Sequence, residues 1–276
     1  MRARSLLSGL VLSALATTTI ACNDNENNEN PPSGGVVVGT TQVVALDNAA
    51  EIEWEGGIFW AVANTFDPVV GVAVIDTNTA IDDIAKNIGN VIGPSGCVNN
   101  TTSPGMITLR FQQCTPPFGQ VNTTGRLAIS VSQNGNALQI DAQALTLKAT
   151  QASLMFMATA LYSASGDGRT LTVTTSSSGT GPSGALTTRS GQYTMNWTAG
   201  ADCATVDGNV ASTKGGSDTT SFGSFVVCRT GCPLSGSVTH VDPASGVSVT
   251  TVYNGTATAT FTASDGSSGT TTITCF

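Results

Sequence analysis

Across 276 residues the chain sets 18 Asp and Glu against 10 Lys and Arg, a formal charge of −8, which argues against nucleic acid and against electrostatic docking on anionic lipid. Charged residues are only 10% of the chain, while Gly, at 31 positions, is abundant beside Ser and Thr. Such a composition suits exposed β-strand faces joined by tight turns.

The first residues read as an export signal. Arg2 and Arg4 form a basic start, Leu6 to Ala16 an apolar stretch too short to span a bilayer unaided, and Thr19-Ile20-Ala21-Cys22 a small-residue cleavage site. This segment resembles a bacterial lipoprotein signal peptide, whose lipobox ends in a small residue followed by the cysteine that receives a diacylglyceryl group. Ala21 and Cys22 match its decisive positions, and Thr19 stands where the family usually has Leu. The resemblance implies removal of residues 1–21 and lipid attachment at Cys22. It implies an exported chain, lipid-anchored to a bacterial membrane, in this reading the outer membrane, with its body facing the periplasm or the surface. An ordinary signal peptide cleaved nearby is the alternative. The polar tract Asn23 to Asn30, followed by Pro31-Pro32-Ser33-Gly34-Gly35, has nothing to bury, so residues 22–40 read as the lipidated cysteine and a disordered tether. After it, roughly 235 residues suffice for one large domain or two small ones.

Residues 41–96 read as helical. From Gln42 to Glu55, Val43, Leu46, Ala50 and Trp54 lie on one side of a helix and Asp47, Glu51 and Glu55 on another. Gly57 to Ile75 is apolar but interrupted by Asn64 and Asp67-Pro68, which favours a buried helix broken there over a membrane span. From Ala80, the positions Ile81, Ile84, Ala85, Ile88, Val91 and Ile92 share one face, with Thr79 as N-cap and Gly93-Pro94 as the stop.

Six cysteines follow Cys22, an even number that implies disulfides in an exported chain. A faint repeat at an offset of about 100 residues orders them. Cys97 and Cys114 bracket one run, followed by Gly125 and Arg126-Leu127-Ala128-Ile129; Cys203 and Cys228 bracket another, followed by Gly236 and Ser237-Val238-Thr239. Gly166-Asp167-Gly168 and Asp265-Gly266 recur as turns. The predicted pairs are Cys97 with Cys114, Cys203 with Cys228, and Cys232 with Cys275. Zinc at Cys228 and Cys232 would need a second close pair of ligands, and the single histidine is His240. No metal and no cofactor is expected.

Residues 97–276 alternate as strands with one buried face: Ile107, Leu109 and Phe111; Leu127, Ile129 and Val131; Leu138, Ile140 and Ala142. Asn134-Gly135 marks a hairpin, and about ten to twelve strands follow by pattern. Two weak repeats, 97–180 and 203–276, are expected, joined through the low-complexity stretch Ser176 to Gly184. The fold class is α+β: N-terminal helices packed on a large antiparallel meander, a curved sheet or unclosed barrel forming one domain with 41–96. A two-sheet sandwich is the alternative. The general shape is similar to the half-barrels of lipoprotein carriers such as the LolA family, a likeness of fold without a shared motif.

The chain shows no catalytic constellation. Gly93-Pro94-Ser95-Gly96 and Gly181-Pro182-Ser183-Gly184 begin like a nucleophile elbow but lack its final glycine. His240 reads as a structural histidine, Asp47, Glu51 and Glu55 as a solvated helix face, and Trp197, Tyr193 and Tyr253 as core. Leu154, Met155, Phe156 and Met157 put apolar groups on both faces of one strand, so Leu154, Phe156 and Met157 are candidate contacts for an apolar ligand. The expectation is a non-enzymatic cell-envelope lipoprotein acting as a structural or interaction module. Its partners would be the membrane through Cys22 and an envelope protein or apolar ligand, not nucleic acid. The alternatives are a carrier of lipid or another apolar ligand, and an acid-pair glycan hydrolase using Glu51 with another carboxylate.

Overall fold

Apolar residues of the first helix do not gather on one face, and a helix apolar all round has to be buried all round. The computed structural model describes residues 34–66, 77–118, 122–134, 137–148, 153–180, 186–212, 218–273 and 275. Helix α1 spans Gly34–Ala63, and every residue of it from Glu51 to Ala63 is buried. Asn64 closes it, its side-chain amide donating to the Trp60 carbonyl at 2.7 Å. Helix α2, Thr77–Val91, is amphipathic: Ala80, Ile81, Ile84 and Ile88 are buried against the first strands. Asn87 Nδ2 donates to the Thr65 carbonyl at 3.2 Å, joining the C-terminal part of α2 to the residues that follow α1.

Among the described residues thirteen strands follow: β1 Val98–Ser103, β2 Met106–Cys114, β3 Thr123–Asn134, β4 Ala137–Lys148, β5 Ser153–Ser165, β6 Gly168–Thr180, β7 Leu186–Thr198, β8 Cys203–Ser212, β9 Asp218–Cys228, β10 Ser235–Asp242, β11 Val247–Val252, β12 Thr258–Ala263 and β13 Ser268–Thr272. They pair antiparallel in strict chain order, as one sheet with β1 and β13 at its ends. This is the α+β meander, unclosed, and a single continuous sheet excludes the two-sheet sandwich.

The sheet curls because side chains of one helix meet inward residues of many strands. Trp54 Nε1 donates to Thr123 Oγ1 of β3 at 2.9 Å. Phe59 meets Phe156 of β5 with ring centroids 6.1 Å apart, and Trp60 lies 6.3 Å from Trp197 of β7. Further round, Asn48 Nδ2 donates to Thr220 Oγ1 of β9 at 2.7 Å, and α1 packs along β10 and β11. A flat sheet could not reach one helix from all these strands. Lengths match as well: 30 residues of helix rise about 45 Å, and the 13-residue strands β5 to β7 run about 44 Å. Gly56 permits the close approach to β7, since a Cβ there would sit 3.1 Å from Met195 Sδ.

Disulfides join Cys97 to Cys114, Cys203 to Cys228, and Cys232 to Cys275. The first encloses the β1–β2 hairpin, and the second links facing residues at the open end of the β8–β9 hairpin. The third ties Cys275, beyond β13, to the connection between β9 and β10. Each half is thus a bridged hairpin followed by four more strands, β1–β6 and β8–β13, with β7 between them. The Asp167 turn falls between β5 and β6, the Asp265 turn between β12 and β13. Removing the first bridge with Cys97→Ala and Cys114→Ala together, a loop with a sequence separation of 17, is expected to cost about 3 kcal/mol. Urea denaturation without reductant checks it; unchanged stability would count against the bridge.

Several expectations change. Helix α1 begins at Gly34, so 34–40 is helical where composition reads as tether. It runs unbroken past Gly56 and Gly57 because the sheet surrounds it, while the expected break at Asp67-Pro68 lies outside the described residues. Thr79 sits inside the first turn of α2 rather than before it, since the helix starts at Thr77. Ser176 to Thr180 belongs to β6, held by pairing with Leu186 to Ser190 of β7. Strand β1, almost wholly exposed and polar, carries no alternation to announce it.

Candidate functional site

Helix α1 carries three acids into the interior. Glu51, Glu53 and Glu55 are all buried, Glu55 with 0% of its surface exposed. Opposite them, β7 presents Arg189 and Tyr193 two pairs of residues apart on its inward face, and β6 presents Thr175. Glu51 Oε2 contacts Arg189 Nη1 at 2.5 Å, and Glu55 Oε2 lies 3.8 Å from Nη2. Thr175 Oγ1 donates to Glu55 Oε2 at 2.8 Å, and the Tyr193 hydroxyl to Oε1 at 2.9 Å. Burial pushes the Glu55 carboxyl above its ordinary range; Arg189, Thr175 and Tyr193 pull the other way. Burial, then the neighbouring Glu55, raises the Tyr193 phenol well above its own. Gly208, at φ +144° on β8, lets that strand close on Tyr193: a Cβ there would lie 2.5 Å from the Tyr193 Cα.

This overturns the reading of Asp47, Glu51 and Glu55 as a solvated face: Glu51 and Glu55 are interior groups, paired to the sheet, and Asp47 is half-buried. A signal for this was present in β7. Alternation that places Tyr193 and Trp197 in the core also places Arg189 there, and a guanidinium, which stays protonated, needs buried acids to accompany it. Glu53 differs from its neighbours. No hydrogen bond or ion pair joins it to a described residue, and burial alone raises its pKa to about 8.

A second polar chain crosses the interior farther along α1. Thr220 Oγ1 receives Asn48 Nδ2 and lies 2.7 Å from His240 Nδ1, while His240 Nε2 is 3.8 Å from Asp218 Oδ2. Burial lowers the His240 pKa, so the imidazole is neutral at pH 7, and burial first, then Asp242, raises that of Asp218. The order Asp, His, Thr looks like an activated nucleophile, but 3.8 Å exceeds a hydrogen bond and Thr220 is wholly buried beneath Asn48. His240 is thus buried and hydrogen-bonded rather than exposed.

Of the three candidate ligand contacts, Phe156 and Met157 lie on opposite faces of the sheet. Phe156 points inward onto Phe59, Met157 points outward and is 62% exposed, and the side chain of Leu154 lies outside the described residues, although its backbone is in β5. Apolar groups do occupy both faces of β5: Met155, Met157 and Leu161 form an exposed outer row. Tyr193, Trp197 and Tyr253 are buried, as core residues should be. Cys22 lies outside the described residues. Among the described residues no group of three or more His, Cys, Asp or Glu is placed to hold a metal ion. Comparison with protein-family models, with curated proteins and with solved structures finds no match to this chain.

Proposed function

We propose that the chain is an exported cell-envelope lipoprotein, held by lipid at Cys22, that works as a structural or interaction module through the outer face of its sheet. The observation that carries this reading is the occupation of the concave side. Helix α1 lies there with every residue from Glu51 to Ala63 buried, and Phe59, Trp60, Phe156 and Trp197 fill the space in which a carrier would hold an apolar ligand. A hydrolase built on Glu51 and Glu55 would need both acids within reach of a substrate, but they are buried and engaged by Arg189, Thr175 and Tyr193. Three disulfides agree with folding in an oxidising compartment. Among the described residues no helix is long and apolar enough to cross a membrane. A diacylglyceryl group at Cys22 would bring two acyl chains, the number that stable anchoring takes.

The full chain in its own cells tests both halves of the proposal. With a photo-crosslinking residue at Met157, wild type at Cys22 should incorporate an alkyne fatty acid, fractionate with membranes and form a crosslinked adduct. The Cys22→Ser chain should lose the label and leave the membrane fraction. A Cys22→Ser chain that stayed membrane-bound would overturn the anchor, and absence of any adduct would overturn the interaction role.

A further inference from the structure

The outer face of the sheet holds a concentration of positive charge that neither the fold nor the overall charge calls for. Arg110 of β2 and Arg126 of β3 are exposed and face each other directly in the strand register, which puts their Cβ atoms about 5 Å apart. Two residues along β3 on the same face is Thr124, whose register partner is exposed Lys148 of β4. Like charges set opposite each other destabilise a sheet. In a chain with 18 acids, neither arginine makes an ion pair or hydrogen bond with a described residue.

Beside this pair the sheet is indented. A β-bulge between Phe111 and Cys114 leaves both Gln112 and Gln113 exposed, Gln113 at φ +56°, and Gly125, the register partner of Phe111, is at φ +135°. The result is an open concavity of about 660 Å³ lined by Arg110, Gln112, Gln113, Thr124, Gly125 and Arg126, with Phe111 at its floor. That volume falls within the range of small-molecule sites.

The second half of the chain provides an internal control. Phe111, Gln113 and Gly125 recur in sequence order as Phe222, Ser224 and Gly236, with φ again positive at Ser224 and Gly236 and another bulge beside them, although Phe222 pairs with Val238 where Phe111 pairs with Gly125. There, however, the counterparts of Arg110 and Arg126 in sequence are Ser221 and Ser237, whose register partners are Thr239 and Gly223 rather than each other. The bulge therefore forms without arginine, and backbone geometry does not explain the pair.

We infer that this concavity on β2 and β3 is a binding site for a phosphate group carried on a hydroxylated skeleton, such as a sugar phosphate. Two guanidinium groups side by side match the charge of a phosphate monoester and offer it paired, planar sets of N–H donors. The amides of Gln112 and Gln113 and the hydroxyl of Thr124 can each donate to and accept from hydroxyl groups beside it. A lone carboxylate would neutralise only one of the two cations.

The test is calorimetry and amide NMR on the mature full chain in detergent, a measurement whose outcome does not depend on the Cys22 anchor. Glucose 6-phosphate should bind, shift the Arg110 and Arg126 side-chain Nε–H signals, and compete with inorganic phosphate. Glucuronate should bind about tenfold more weakly and glucose not at all. Arg110→Gln and Arg126→Gln, at exposed positions that leave the fold intact, should each weaken glucose 6-phosphate about tenfold or more. Vesicles containing phosphatidylinositol 4-phosphate distinguish the source: tighter binding to them assigns a lipid-borne phosphate, and equal or weaker binding a free one. Absence of phosphate-dependent binding at millimolar concentration, or unchanged affinity in both variants, overturns the site.

Discussion

Replacing Arg189 by Met is expected to lower the stability of the fold at pH 7 by about 3–5 kcal/mol, the range for removing one partner of a buried ion pair. Arg189 stands between Glu51 and Glu55, with Nη1 at 2.5 Å from one and Nη2 at 3.8 Å from the other, and all three side chains are almost wholly buried. Without it, two carboxylates one helical turn apart would remain in the interior, repelling each other, with Thr175 and Tyr193 bonded to Glu55. They would respond by taking up protons, so the deficit should shrink as pH falls from 7 toward 4. The triple variant Glu51→Gln, Glu55→Gln, Arg189→Met keeps the shape without burying charge and should recover most of the loss. Urea denaturation followed by far-ultraviolet circular dichroism measures all three chains. A single variant as stable as wild type would show that the pair does not close in solution.

The same network marks the boundary of what could be read from residues alone. Alternation over Ile107 to Phe111 and Leu127 to Val131 is a local property of a strand with one buried face, so it identifies strands directly. Cysteine parity and the repeated turns order the disulfides because both are written along the chain. Burial of α1 is different, since it depends on what surrounds the helix. Acids spaced as Glu51 and Glu55 look solvated on any isolated helix, and their cation lies on β7, remote in sequence. Apolar residues on every side of α1 were the local clue that the helix is enclosed rather than laid on a surface. Strand β5 shows the complementary limit: two apolar faces imply two covers, and its inner face has one in Phe59, while Met155 and Met157 face outward. The Arg110 and Arg126 pair was hidden for a third reason, because strand register, not spacing, sets them opposite one another.

Glu53 supplies the clearest dependence on pH. Its carboxyl is raised by burial from 4.5 to about 8, and it lies near enough to Tyr253 to help burial raise that phenol too. Below pH 4.5 the group is protonated in both the folded and the unfolded chain and costs nothing beyond an uncharged buried acid. Between 4.5 and 8 the unfolded chain releases this proton while the folded chain keeps it, so stability falls as pH rises, and the loss is complete above the folded value. Each unit of difference corresponds to about 1.4 kcal/mol. Glu53→Gln keeps the shape of the neutral acid and cannot ionise. It should therefore match wild type within about 1 kcal/mol at pH 4 and exceed it by roughly 3–5 kcal/mol at pH 9. Subtracting the two stability curves, measured by urea denaturation from pH 4 to 9, removes the contributions of groups the two chains share, Glu51 and Glu55 among them. A difference that stayed flat would mean that Glu53 titrates alike in the folded and unfolded chains, as an acid open to solvent would. A difference of opposite sign would mean that its charged form is the one the fold prefers, which requires a cation beside it.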